Sequence, residues 1–381
     1  MQTKKVWKEL GPEAWASILE DTKSTSITIS GSTVKATCPY PEHTDNTPSF
    51  FIKTAEGFSK CFGCGRFCSN PIQFLATVKN ISEAQAFLEL RANGAKLPLA
   101  LGKKIQEQEK RLAVNGEIAY LANNSLVEAA KDPNNPKWQF AQKALDYLEG
   151  RGIPRAPGLL SQLPIGVLPP FSIIEGDDTV HNKSSIMEFF KGWLQDNFNV
   201  YVGALVFFYY TTPTELTGFR IRFEFLKPKR WKEKKLLSIG PKGDDTELGF
   251  FGLANFAAKI GGVKKDRTPW SSSEALVVEG EFDLLLPLMH YYTTEKVCLD
   301  PIICTQGSYI SNLDELEQMG IRRLYLCLDN YHRDSAGLLR LKEVMSSTSL
   351  QCFIYDWSMD VKDPDEAVTK LGWDKVMDLN V

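Results

Sequence analysis

The sequence predicts a multidomain α+β chain, and three observations predict it. A cysteine–histidine quartet lies near the start. A basic and aromatic stretch lies in the middle. Strand and helix patterns alternate over the last third, with carboxylates where the strands end. The 381 residues suffice for two or three separate cores. A hydrophobic share of 43% and a charged share of 24% are those of ordinary globular protein. The formal net charge of -3 excludes a chain that is basic overall, so any nucleic-acid surface must be local.

Met1-Gln2-Thr3-Lys4-Lys5-Val6-Trp7 opens on polar sequence, which predicts no signal peptide. No apolar run reaches membrane-spanning length, so no membrane partner is expected. Eight scattered cysteines do not form a secreted disulfide framework, and Cys304 and Cys327 sit in apolar strand-like runs. A reducing cytoplasm is expected.

The first unit is expected over residues 1–95. Alternation in Thr25–Ser30 and Thr33–Thr37 predicts two short strands. Thr47–Ile52 and Gly57–Cys61 predict a hairpin turning near Thr54–Gly57. Asn70 as cap and Pro71 as first helical residue open a helix, and Ser82–Leu90 predicts another. Within this unit Cys38, His43, Cys61 and Cys64 form a Cys-x4-His and Cys-x2-Cys pair. Three sulfurs and one imidazole suit a closed tetrahedral Zn2+ site, the metal serving as folding energy for a unit with little core. Cys68 is the alternative sulfur. The unit reads as a zinc ribbon with a helical tail, suited to DNA contact.

Residues 96–135 read as a charged helical linker ended by Pro133-Asn134-Asn135-Pro136. A mixed basic subdomain is expected over 136–270. It has a helix at Gln139–Leu148, stopped by Gly150-Arg151-Gly152, then strands at Ala204–Tyr210 and Phe219–Phe225. From Arg220 to Lys242 nine lysines and arginines face two glutamates, with Phe219, Phe223, Phe225 and Trp231 interleaved. Such a patch suits a phosphate backbone, with rings available for stacking, while strand alternation is expected to leave some of those rings in the core.

An α/β domain with a central parallel sheet is expected over 271–381. Ala275–Val278 is a continuous apolar run, like a strand buried on both faces. Phe282–His290, Pro301–Cys304, Leu313–Met319, Arg323–Leu328, Leu338–Met345 and Gln351–Tyr355 continue as helix, strand, helix, strand, helix, strand. Sites in such sheets lie at the carboxyl ends of strands. Glu279 and Asp283 follow the first strand, Asp329 and Asp334 the third, and Asp363 and Asp365 the last. Converging carboxylates repel unless divalent cations bridge them, and oxygen donors favour Mg2+ or Mn2+. Such ions assist phosphoryl transfer.

Taken in order, these features resemble the bacterial-type DNA primases. Thr47-Pro48-Ser49-Phe50 and Lys60-Cys61-Phe62-Gly63-Cys64-Gly65 are similar to the family's zinc-binding domain. Tyr147-Leu148-Glu149-Gly150-Arg151-Gly152-Ile153, Gly218–Arg222, Lys235–Ser238 and Phe251–Leu253 are similar to its polymerase core. Val278-Glu279-Gly280, Leu328-Asp329, Asp334-Ser335-Ala336-Gly337 and Lys362–Glu366 resemble its TOPRIM fold.

The resemblance implies synthesis of short RNA primers from ribonucleoside triphosphates on a single-stranded DNA template. Glu279 then assists proton transfer or orders a metal. Asp329, Asp334, Asp363 and Asp365 hold two magnesium ions, and Asp283 supports them. Arg222 and Lys235, with Arg220 and Lys234, meet nucleotide phosphates or template. The ribbon helps to select the start site, and a replicative helicase is an expected partner.

Three departures from the family pattern stand out. The first metal pair is Cys-x4-His. Tyr331-His332-Arg333 separates Asp329-Asn330 from Asp334, which leaves Asn330 and His332 as alternatives to Asp334. The chain also ends soon after the last acidic motif. The pattern fits a compact primase of a phage, plasmid or other mobile element, or part of a longer primase–helicase. Two other classes share these parts: a zinc-ribbon DNA-binding protein with a regulatory TOPRIM fold, and a TOPRIM nuclease.

Overall fold

The computed structural model describes residues 4–41, 43–194, 198–212, 215–226, 236–239, 250–251, 274–293, 302–304, 313–318, 321–329, 335–355, 361–363, 366–367 and 370. The chain divides into two compact units, Met1–Arg111 and Leu112–Val381. Their junction falls inside a 33-residue helix, Leu99–Lys131, in the segment expected to connect them.

In the first unit a five-stranded antiparallel sheet runs β1 (Thr28–Ser30), β2 (Thr33–Ala36), β3 (Phe50–Lys53), β4 (Phe58–Cys61) and β5 (Phe67–Cys68) in simple sequence order. Inner positions Val34, Ala36, Phe50, Ile52 and Cys61 are buried, as period-two alternation requires. Helix α1 (Lys4–Glu20), which the sequence pattern does not predict, breaks at Gly11 (φ 73°) before Pro12. It brings Trp7 and Trp15 into this core, their rings 4.4 Å apart. Asn70 caps α2 (Pro71–Lys79), its side chain accepting from the Ile72 amide. Ser82 and Gln85 form a capping box on α3 (Glu83–Ala92).

The second unit is built on a nine-stranded mixed sheet. β6 (Ile165–Val167), β7 (Leu205–Thr212), β8 (Glu215–Arg222), β9 (Leu236–Ile239) and β10 (Phe250–Phe251) pair antiparallel. β11 (Glu274–Val278), β12 (Ile302–Cys304), β13 (Arg323–Cys327) and β14 (Gln351–Ile354) are parallel, in the order β14-β13-β11-β12. β10 joins the two blocks by pairing with both β7 and β12. One sheet therefore crosses the boundary expected at residue 270.

Helix α4 (Leu99–Lys131) reaches this sheet at Gly166, where a Cβ would stand 2.3 Å from the Ala122 backbone, so only glycine allows that approach. Around the antiparallel strands lie helices α5 (Gln142–Gly150), α6 (Pro157–Leu160), α7 (Phe171–Gly176), α8 (Lys183–Leu194) and α9 (Phe198–Tyr201). Helices α10 (Glu281–Thr293), α11 (Leu313–Gln318) and α12 (Ser335–Ser346) alternate with the parallel strands. β11 is buried at Ala275, Leu276, Val277 and Val278, as a central parallel strand covered on both faces should be. Phe219 and Phe223 are rings of the basic stretch that lie in the core, at 2% and 1% exposure. Strand alternation turns them inward. Among the described residues no helix is long and apolar enough to cross a membrane.

Candidate metal centre and nucleic-acid interface

The β3–β4 hairpin and the loop after β2 bring Cys38, His43, Cys61 and Cys64 together. All four donor atoms lie within 4.8 Å of one another. Cys38 Sγ is 4.0 Å from Cys64 Sγ, and Cys61 Sγ is 3.6 Å from His43 Nδ1. Tetrahedral zinc with Zn–S bonds of about 2.3 Å sets its sulfurs about 3.8 Å apart, so the donors fit a structural zinc ion. Cys68 stays outside the quartet and donates to the Asn70 carbonyl at 3.1 Å.

Two groups not anticipated from the sequence support these ligands. Asp45 accepts from the Cys38 amide at 3.0 Å and from the Ser49 hydroxyl at 2.6 Å. Ser49 Oγ lies 3.2 Å from Cys61 Sγ. The Ser in the Thr-Pro-Ser run was the available signal. Burial pushes the Cys38 and Cys64 thiols up. Burial also opposes ionisation of Cys61, but its hydrogen bonding with Ser49 and the bond from the Cys64 amide outweigh it and lower its pKa. Gly63 leaves room for the imidazole, since a Cβ there would stand 2.7 Å from His43 Cε1.

The outer face of the ribbon sheet alternates cations and rings. Register places Lys35 beside Phe51, Phe51 beside Lys60, and Lys60 beside Phe67; the next row sets Lys53 beside Phe58. Lys35, Lys53 and Lys60 stand over Phe51, Phe58 and Phe62 at 5.4, 5.8 and 4.9 Å. Phe62 and Phe67 are 64% and 60% exposed. Exposed rings beside ammonium groups offer stacking and phosphate contact together.

In the second unit Glu279 directly follows β11, and Asp329 follows β13 two residues past its last strand residue. Asp283 is buried in the first turn of α10 and accepts from the Gly280 amide at 2.8 Å. Asp363 accepts from Lys362 Nζ at 2.9 Å and from the Glu366 amide at 2.8 Å. The Asp363 hydrogen bond raises the Lys362 pKa. Burial opposes that rise, and the charges of Asp363, Asp329 and Asp283 add to it. Three of the expected acids thus act on one ammonium group. Among the described residues, the Cys/His quartet is the one group of three or more candidate ligands drawn this close together. Asp334 and Asp365 lie outside the described residues, as do Lys234, Lys235 and Trp231.

Arg220 and Arg222 share one face of β8 but meet different partners. Arg220 Nη1 donates to Glu281 Oε1 at 2.8 Å, and the Tyr209 hydroxyl donates to the same oxygen at 2.8 Å. Glu281 is 3% exposed. This buried pair ties β8 to the start of α10. Arg222 lies over the Phe282 ring at 5.2 Å, where Arg151 also sits at 4.5 Å.

The chain thus joins a zinc ribbon with a cation–aromatic face to a unit whose parallel sheet bears acids at its strand ends. Residues 16–106 match the CHC2 zinc finger family. The chain is 32% identical over 124 residues to a DNA primase of Aquifex aeolicus, covering 32% of this chain and 21% of that protein. It is 23% identical over 345 residues to a DNA primase of Chlamydia pneumoniae, covering 90% of this chain and 54% of that protein. The crystal structure of the Aquifex aeolicus primase, comprising zinc-binding and RNA polymerase domains, aligns with 98% of this chain and 84% of its own. That alignment has 20% identity and a TM-score of 0.46. By sequence the chain is thus similar to DNA primases over nearly its whole length, and it spans about half, or less, of the length of these two curated relatives.

Proposed function

We propose that this chain is a DNA primase that makes short RNA primers on single-stranded DNA by metal-assisted nucleotidyl transfer. The observation that carries the reading is the similarity to a DNA primase along 90% of the chain, joined to acids at the ends of neighbouring parallel strands. Residues 136–270 and 271–381 serve as the basic and catalytic parts of one core, and the ribbon of residues 1–95 as its template-binding part.

Glu279, Asp329 and Asp363, with Asp334 and Asp365, would hold Mg2+ or Mn2+. The oxygen donor set suits such hard cations. Bound there, the ions would neutralise phosphate charge and ease deprotonation of the attacking hydroxyl. Asp283 braces the Glu279 loop through the Gly280 amide. Arg222, Lys234 and Lys235 would meet phosphates. Arg220 reaches Glu281, which supports a positioning part for it beside the acidic loop. The ribbon face would grip the template by its lysines and exposed phenylalanines. A replicative helicase is the partner this activity would need.

The test is an incubation with single-stranded DNA, Mg2+ or Mn2+ and labelled ribonucleotides. New oligoribonucleotides are expected. Shortened template would instead indicate a nuclease, and retained DNA binding with no product would indicate a binding protein. E279Q and D329N should each abolish synthesis and leave DNA binding within about twofold of wild type, since a carboxylate-to-amide change removes charge but little volume. Normal primer yield from both variants would overturn the site assignment.

A further inference from the structure

Beside the acidic loop, a tyrosine hydroxyl stands between an arginine and a glutamate. Arg222 Nη1 donates to the Tyr147 hydroxyl at 3.1 Å, and that hydroxyl donates to Glu224 Oε1 at 2.5 Å. The arginine and glutamate themselves remain 3.8 Å apart, beyond hydrogen-bond distance. Burial first, and then the Glu224 hydrogen bond, raises the Tyr147 pKa, so the hydroxyl keeps the proton it donates. The ring is held on both sides. It stacks on Phe225 at 4.9 Å and meets the edge of Phe282 at 5.9 Å.

We propose that Tyr147 is a spacer that keeps Arg222 oriented while denying Glu224 a direct hydrogen bond to it, so that the guanidinium donors stay open to a phosphate group. The inference rests on the reading of Arg222 as a phosphate-binding side chain. A carboxylate and a phosphate compete for the same planar fork of guanidinium donors. With the hydroxyl present, Glu224 receives its hydrogen bond from tyrosine and Arg222 gives up one donor to a neutral oxygen. Without it, the loose 3.8 Å ion pair can close into a hydrogen-bonded one that occupies the guanidinium donors, and phosphate must then displace a carboxylate. Tyr147 is accordingly a positioning residue.

The test uses the full-length protein and two probes, metal-free ATP and a labelled single-stranded oligonucleotide, whose separate responses distinguish nucleotide phosphate from template phosphate. Y147F preserves the ring and is expected to weaken binding of one probe about tenfold, the effect of removing one charge-assisted hydrogen bond, with little change in melting temperature. E224Q should bind as well as wild type or more tightly. In Y147F/E224Q the competing charge is gone, and affinity is expected to return to within about twofold of wild type. A merely structural role for Tyr147 predicts no such recovery. Y147F binding like wild type while R222Q is weakened, or a double variant as weak as Y147F, overturns the spacer role. An R222Q protein that binds both probes normally overturns the phosphate role of Arg222, and the spacer role with it.

Discussion

At the scale of single residues, partners decide what a charge can do. Arg220 and Arg222 are equivalent in sequence terms, two residues apart on one strand. The burial of their partners separates them, Glu281 at 3% exposure and Glu224 at 27%. The Arg220–Glu281 pair sits at 18% and 3% side-chain exposure, where an unpartnered charge is costly. R220M alone should destabilise the second unit by about 3–5 kcal/mol by leaving Glu281 buried and unpaired. R220M/E281L should recover most of that loss, because removing both charges removes the desolvation penalty too. Thermal and urea melts of the two variants provide the check. In the ribbon, D45N withdraws the anion that holds the Cys38 amide and the Ser49 hydroxyl. Loss of such outer support typically weakens metal binding about 10–100-fold, and chelator competition would measure it.

At the scale of elements, the ribbon is a sheet with one face given to a core and the other to lysines and phenylalanines. The metal closes the end of the hairpin where no apolar residues could. Zinc removal should therefore loosen the environment of Trp7 and Trp15, which are fully buried in this unit, and tryptophan emission should shift to the red. The same treatment should leave the melting of residues 112–381 unchanged.

The opposite face of the ribbon makes a separate prediction. Charge removal in K53A/K60A should reduce the salt slope of single-strand DNA binding by about 1.4, at about 0.7 for each phosphate no longer neutralised. F62A/F67A should weaken binding at every salt concentration, since each missing base stack costs about 1–3 kcal/mol. Equal binding by all these variants would remove the ribbon face from the template path.

At the scale of the whole molecule, the second unit is one sheet with two chemistries. Its antiparallel half carries the arginines and its parallel half carries the acids. β10 stitches the halves together with only two residues, Phe250 and Phe251, both buried. The Glu281–Arg220 pair adds a polar tie between them. A core split this way sets Arg220 of the antiparallel half against Glu281 at the helix that follows the first parallel strand.

Much of this was legible in the residues themselves. The quartet Cys38, His43, Cys61 and Cys64 was readable because metal geometry restricts both residue type and spacing. The parallel strands were readable because double burial leaves continuous apolar runs such as Ala275–Val278. Asn70 and Ser82 announced their helices by capping chemistry, which is local. Helix α1 was missed because Gly11 and Pro12 interrupt its pattern, and the short strand β6 because three residues carry no period. That some rings of the basic stretch would turn inward followed from alternation, but composition does not say that Phe219 and Phe223 are the ones. The sequence by itself determined the zinc ligands, the four parallel strands and the acids that follow them, all properties of neighbours in the chain. Only the tertiary structure decided that Arg220 would meet Glu281, that Tyr147 would part Arg222 from Glu224, and that Lys362 would feel Asp283 and Asp329. Those pairings join residues far apart in the chain, and their energies depend on burial and distance, which no local pattern encodes.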